Sequence, residues 1–233
     1  MPPDPEATTD GRTYPAGPDR QAYGLRLPAP GHPELRRLQG AHAPAQQGHR
    51  LWNSTWLLLD FLIEQRLPPG LAVLEAGSGW GLAGIWCARH LAATVTAVDV
   101  DPEVFPFLDL HARLNHVEVT TEVASFDRVP DEVLAGADVL IGADICFHEH
   151  MVPSLFGLVQ RALDAGVGRV ALSDPGRMAF RSLASRCVGQ LGAAVLHRQV
   201  QEPLLSWPGE APRLEGRLLT LGPGWARPLA PEP

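Results

Sequence analysis

Three acids and a glycine-rich turn carry the chemistry that this sequence offers. The run Val73 to His90, VLEAGSGWGLAGIWCARH, sets Gly77, Gly79 and Gly81 on alternate positions with Glu75 just before them. Glycines allow a tight turn and a close approach of ligand to backbone, and the helix that follows offers free N–H groups at its start. Asp99 closes the next apolar run, TVTAVDV. A carboxylate at the end of a second strand suits the two hydroxyls of a ribose, although Asp is also common as a turn or capping residue. Asp144 closes a later apolar run within GADICF, and Phe147 and His148 follow it.

Two ligands compete for the glycine turn. The frame Gly79 to Gly84 matches GxGxxG, a weak sign of a dinucleotide. Against a dinucleotide, Glu75 would approach the negative pyrophosphate, and Trp80 brings bulk where phosphates need room. S-adenosylmethionine has a positive sulfonium and a positive ammonium, so an acid beside the turn helps it. The residues therefore favour the methyl donor as cofactor.

At the other end, Asp144 could orient an amine that arrives neutral and leaves as a cation, with Phe147 as an apolar wall and His148 as a proton acceptor. The plainer reading of Asp144 is a helix N-cap. His148, Glu149 and His150 could also join Asp144 and Asp174 around a metal, but adjacent histidines on a solvated loop are commoner, and no metal is expected. Asp174-Pro175-Gly176-Arg177 reads as a turn. Arg177 could pair with a carboxylate there or clamp an acidic acceptor.

The elements needed to position these residues alternate along the chain. AVLEAG, TVTAVDV, VEVTTEV, ADVLIGAD and GRVALSD read as short buried strands. Helices separate most of them: LAGIWCARHL, DPEVFPFLDLHARLN with Asp101 as N-cap and Pro102 first in the helix, and MVPSLFGLVQRALDAG. MAFRSLASRCVGQLG follows the fifth strand. AVLHRQVQE and RLEGRLLTLG follow with no helix between them. The pattern predicts an α/β fold, a doubly wound, mostly parallel seven-stranded sheet that ends in an antiparallel hairpin.

The rest of the chain sets bounds. Residues 1–46, rich in Pro, Gly and Ala, read as a flexible arm in which ELRRLQGA could form a short helix. Residues 47–224 read as the domain, and 225–233 as a tail. The net charge is -7, with 26 acids against 19 basic residues, all of them arginine. This balance disfavours broad binding to nucleic acid. Cys87, Cys146 and Cys187 form no CxxC pair, so neither a disulfide framework nor a zinc site is expected. The apolar run WLLLDFLIEQ is broken by Asp60 and Glu64, so no membrane span is expected. A cytoplasmic protein, monomeric or weakly dimeric, is the simplest expectation.

VLEAGSGWG followed by VTAVDVDP resembles the first two motifs of class I, seven-β-strand S-adenosylmethionine-dependent methyltransferases, over about residues 48–222. GHRLWNSTWLLLDFL, GADICF and DPGR are similar to the protein lysine methyltransferase branch, which includes the electron-transfer-flavoprotein β-subunit lysine methyltransferases. The resemblance implies a Rossmann-like methyltransferase fold and transfer to a protein side-chain nitrogen, with a small-molecule N- or O-acceptor as the alternative. A catalytically idle cofactor-binding protein is a further alternative. It also implies that Glu75, Gly77 and Gly79 cradle the methionine part of the donor, that Asp99 meets its ribose, and that Ser78 and Val100 are among the cofactor-binding residues. Ser125, Phe126 and Asp127 would border the adenine, Trp52 would lie against the pocket, and Asp144 would stand between donor and acceptor. Nucleobase amino methyltransferases use a similar Asn/Asp-Pro-Pro-aromatic skeleton, but both prolines are absent here.

Overall fold

The computed structural model describes residues 7–8, 13–14, 19–45, 48, 50–203 and 212–225. Among them the strands of the main sheet are β1 (Ala72–Ala76), β2 (Thr94–Asp99), β3 (Thr120–Val123), β4 (Val139–Ala143), β5 (Arg169–Asp174), β6 (Ala194–Gln201) and β7 (Arg213–Leu221). The sheet order is β6-β7-β5-β4-β1-β2-β3. Strands β1 to β5 run parallel, and β7 lies antiparallel between β5 and β6. The predicted class and terminal hairpin match this sheet. What the sequence pattern did not give is the insertion of β7 between β5 and β6.

Side-chain alternation divides the core into two layers. Val73, Val139, Ile141 and Ala171 face a cluster made with α2 (Ser54–Glu64) and α3 (Leu82–Leu91). Leu74, Leu140, Val170 and Leu172 face the opposite cluster, made with α6 (Val152–Asp164) and α7 (Met178–Leu191). Buried on both faces, these strands read as continuous apolar runs. Helix α4 (Phe105–Leu114) is entered through a short 3₁₀ turn, Pro102–Val104, capped by Asp101, whose carboxylate accepts from the Glu103 amide at 3.0 Å. A short helix α5, Asp131–Ala135, lies between β3 and β4 and was not foreseen.

Within the arm expected over residues 1–46, residues 20–41 form regular structure, including the short helix expected at ELRRLQGA. Arg20–Ala22 and Leu25–Leu27 form an antiparallel hairpin, and α1 spans Pro33–Ala41. Leu25 and Leu27 are fully buried in the cluster of α2 and α3. Leu35 and Leu38 pack with Trp80, Phe107 and Leu110 in a third cluster behind the glycine turn. The reason lies in spacing: these leucines recur at i+2 in the hairpin and at i+3 in the helix, which makes one apolar face from a segment whose average composition is polar. Asn115 ties the hairpin down, accepting from the Arg26 amide and donating to the Arg26 carbonyl. Most of residues 1–18, and the expected tail after Trp225, lie outside the described residues.

A chain that starts at Ala41 removes four buried leucines, each worth ~1.5–3 kcal/mol of burial. Its unfolding free energy is expected to drop by several kcal/mol, a large part of the ~5–15 kcal/mol typical of a domain. Urea unfolding of the two chains checks this. An unchanged midpoint would mean that the hairpin and α1 contribute no stability.

Candidate functional site

The carboxyl ends of β1, β2 and β4 open into one cleft of about 290 Å³. The turn after β1 forms its floor. Gly77, Gly79 and Gly81 have φ of 59°, 52° and 72°, in the left-handed region. A Cβ at Gly81 would fall 2.6 Å from Leu108, whereas at Gly79 nothing lies within 4 Å. The turn thus packs tightly at its helix end and leaves open backbone towards the cleft at Gly79. The Ser78 amide donates to the Val98 carbonyl at 3.1 Å, and the Gly81 amide donates to the Ser78 carbonyl at 2.8 Å. The Ser78 hydroxyl is buried without a partner among the described residues.

Two acids hold the turn. Asp99 Oδ2 accepts from the Gly79 amide at 2.9 Å, and Oδ1 accepts from the Asp101 amide at 3.0 Å. Partial burial raises the Asp99 pKa, and these amides pull it back down. Glu75 borders the cleft too, but its Oε2 accepts from the Gly84 amide in the first turn of α3, at 3.0 Å. Burial pushes the Glu75 carboxyl up to about 8, against the opposing pull of the Gly84 and Ala83 amides. The sequence placed Glu75 beside a ligand cation; in the fold its first partner is the positive end of α3.

Trp80 also takes a different part from the one expected. Its indole stacks on Phe107, with centroids 5.2 Å apart and planes 2° from parallel, and Nε1 donates to the Gly48 carbonyl at 3.0 Å. The Ala45 amide donates to Asp101 Oδ2 at 2.5 Å, and His42 Nδ1 lies 3.0 Å from Glu103 Oε2. Ala45 and Gly48 therefore form one wall of the cleft, fixed to the turn and to the loop after β2. Trp52 and Val100 line the cleft as well, and the Arg50 guanidinium sits 3.9 Å over the Trp52 ring. Ser125 and Phe126 line it after β3, but Asp127 turns away to accept from Ser154 Oγ at 2.8 Å.

At the β4 end, Asp144 has φ of 64°, a conformation that Asp and Asn tolerate better than other side chains. It caps no helix: the 3₁₀ turn Glu149–Met151 begins after His148 and leads into α6. Asp144 Oδ2 accepts from Ser54 Oγ at 2.7 Å, and Oδ1 pairs with the Arg177 guanidinium. Arg177 also pairs with Asp174, through Nε at 3.0 Å and a terminal nitrogen at 2.9 Å. Asp174 Oδ1 accepts from the Gly176 and Arg177 amides, and burial raises this carboxyl to about 6. Ser173 Oγ donates to the Ser54 carbonyl at 2.8 Å, which fixes the start of α2 to β5. Phe147 lines the cleft. His148 does not; it is exposed, packing edge-on against Phe147 and stacking with His150.

The structure thus brings Trp52, Glu75, Gly77, Ser78, Gly79, Asp99, Val100, Phe126, Asp144 and Phe147 to one cleft and leaves His148 outside it. Sequence reasoning missed Ser54 and Ser173, and it left the partner of Arg177 open. No local pattern marks two serines more than a hundred residues apart as neighbours.

A family model described as lysine methyltransferase matches residues 37–172, more than half of the chain. The chain belongs to the lysine methyltransferase family. It is 25% identical over 169 residues to the protein-lysine N-methyltransferase EFM3 of Chaetomium thermophilum, an alignment covering 66% of this chain and 50% of that protein. It is 28% identical over 138 residues to the ubiquinone biosynthesis O-methyltransferase of Xanthomonas campestris pv. campestris, covering 59% of this chain and 53% of that protein. The chain spans about half the length of these curated relatives. Among solved structures, the precorrin-6y C5,15-methyltransferase of Geobacter metallireducens has a TM-score of 0.57 at 16% identity, covering 81% of this chain and 96% of that one. That likeness confirms the class I methyltransferase fold. Among the described residues no helix is long and apolar enough to cross a membrane.

Glu75 makes the stability of the ligand-free fold depend on pH. Its carboxyl binds a proton more tightly folded than unfolded, so its contribution is complete below about pH 4.5 and is lost as pH rises through about 8. Glu75→Gln cannot titrate and keeps an oxygen for the Gly84 amide. The fall in unfolding free energy across this range is expected to be shallower in the variant, as measured by urea unfolding at several pH values. Parallel profiles would show that Glu75 does not titrate there.

Proposed function

We propose that the cleft binds S-adenosylmethionine and that the chain passes the methyl group to a protein side-chain nitrogen, lysine being the acceptor named by its family. One observation carries this reading: a single cleft joins the glycine turn and Asp99 to Asp144 and Phe147. The open backbone at Gly79 and the unpartnered Ser78 hydroxyl suit the amino-acid part of the donor. Asp99 keeps lone pairs for ribose hydroxyls beyond the two amides it already accepts. Phe126 and Val100 offer apolar sides to the adenine. When bound, the donor supplies a methyl carbon activated by its sulfonium.

The chain's own part is alignment and charge. Asp144, Asp174 and Arg177 together carry one net negative charge where the acceptor enters. That charge favours the cation an amine becomes as it gains a methyl group. Asp144 is already held by Ser54 and Arg177, so its remaining lone pairs face the acceptor from a fixed position. Phe147 provides an apolar wall for the acceptor's stem. His148 has no part in this reading. A cytoplasmic setting belongs to it, in keeping with three buried free cysteines. A small-molecule acceptor is the second reading, favoured by the similarity to the O-methyltransferase.

Calorimetry is expected to detect binding of S-adenosylmethionine and of its demethylated product, with no binding of NAD. Asp99→Ala is expected to weaken the donor by ~1–3 kcal/mol, the scale of hydrogen bonds to a charged group. Binding of NAD but not of the methyl donor would overturn the cofactor assignment.

Asp144→Asn tolerates the left-handed backbone and keeps an acceptor for Ser54, but it removes the charge opposite Arg177. Single-turnover methyl transfer is expected to slow by ~10²-fold or more, with donor affinity within ~1 kcal/mol of the parent. Normal turnover in the Asn variant would restrict Asp144 to holding Ser54 and the β4 turn.

A further inference from the structure

The Asp174–Arg177 turn is joined through Arg177 to Asp144, which lines the cleft, and two further arginines flank the turn. Arg181, one helical turn into α7, donates from Nε to the Gly176 carbonyl at 2.8 Å. Arg217 of β7 lies in register with Asp174. Both guanidinium groups come within 4 Å of the position a Cβ would take on Gly176, at 3.6 Å from Arg217 Nε and 3.9 Å from a terminal nitrogen of Arg181. Arg177 pairs with both Asp144 and Asp174, whereas among the described residues neither Arg181 nor Arg217 is paired with a carboxylate. Glu149 on the facing turn is held by Ser182 Oγ at 3.1 Å instead. Met178 beside them is 69% exposed. The chain as a whole is acidic, at -7. A pair of unneutralised arginines beside the Asp174–Arg177 turn runs against that background.

We propose that Arg181 and Arg217 form a docking surface for an acidic segment of the acceptor protein, one with Asp or Glu close to the methylated nitrogen. This rests on the protein-acceptor reading above. The two arginines receive the carboxylates, Met178 and Phe147 receive the intervening apolar groups, and the net negative charge at Asp144, Asp174 and Arg177 receives the nitrogen. An acceptor with an amine flanked by carboxylates matches both signs of charge in order. The chain's net charge of -7 favours a protein segment over a nucleic acid, whose evenly spaced phosphates need a wider basic face. Ion pairs at an exposed rim act mainly on encounter and orientation, so the effect belongs in KM and in salt dependence more than in kcat.

The test uses the full chain with Arg181→Glu/Arg217→Glu, and Arg181→Ala/Arg217→Ala as the milder control, since neither residue lines the donor cleft. Each chain is incubated with methyl-labelled S-adenosylmethionine and cell extract, and label is counted separately in protein, nucleic acid and small molecules. The chain has no lysine, so labelled methyl-lysine comes from an acceptor and not from the enzyme. The charge-reversed chain is expected to bind the donor normally by calorimetry and to label protein at least about fivefold more slowly at limiting extract, with the Ala chain in between. Hexaglutamate is expected to inhibit the parent chain and to lose that effect in both variants, while hexalysine does not inhibit by this route. Equal labelling of protein by parent and charge-reversed chains, or inhibition by hexaglutamate that survives the substitutions, overturns the proposal alone. Label only in small molecules overturns the protein-acceptor reading and the proposal with it. Label in nucleic acid that the substitutions abolish assigns the same arginines to phosphate and overturns the proposal.

Discussion

Two carboxylates from adjacent strands, Asp144 and Asp174, share the guanidinium of Arg177 at the edge of the sheet where β4 and β5 end. Asp174 is fully buried, and a lone buried charge would be costly. The arrangement works because every member has several partners. The Gly176 and Arg177 amides complete Asp174, and Ser54 completes Asp144. Through Ser54 and Ser173 the same cluster fixes the first turn of α2, two residues after Trp52. The β4 end of the cleft, the start of α2 and the turn into α7 are thus one polar unit.

The glycine-turn end of the cleft depends on a second unit with different logic. Here the acids hold the turn backbone in place. Asp99 holds Gly79, Glu75 holds Gly84, and Trp80 holds Gly48. Stacking of Trp80 on Phe107 carries the load outward to α4 and α1. The segment before α2 is therefore part of the cleft's support, since its wall at Ala45 and Gly48 hangs on Asp101 and Trp80. A ligand that entered between Asp99 and Ala45 would meet preformed walls, which lowers the ordering cost of binding.

The two units differ in charge in a way that fits methyl transfer to an amine. The β4 end, read above as the acceptor end, keeps one net negative charge and excludes the exposed histidines, while Arg181 and Arg217 place positive charge beside the Asp174–Arg177 turn. Family membership sets the general chemistry but not the acceptor, because one fold serves many acceptors.

Much of this was legible in the sequence. Apolar runs of five or six residues alternating with helices fix a parallel sheet, and glycines at 77, 79 and 81 mark a tight turn after β1, because such local rules act over a few residues. Asp99 and Asp144 were found for the same reason: each directly follows or closes a strand, where the fold class puts ligands. Tertiary structure alone decided the partners. Glu75 turned to α3 and Asp144 to Ser54 and Arg177. His148 fell outside the cleft, and Leu25, Leu27, Leu35 and Leu38 made an apparent arm into part of the core. Each outcome depends on groups brought together from distant parts of the chain. A carboxylate takes whichever amide, hydroxyl or guanidinium the packing brings within about 3 Å, and sequence spacing does not encode that distance.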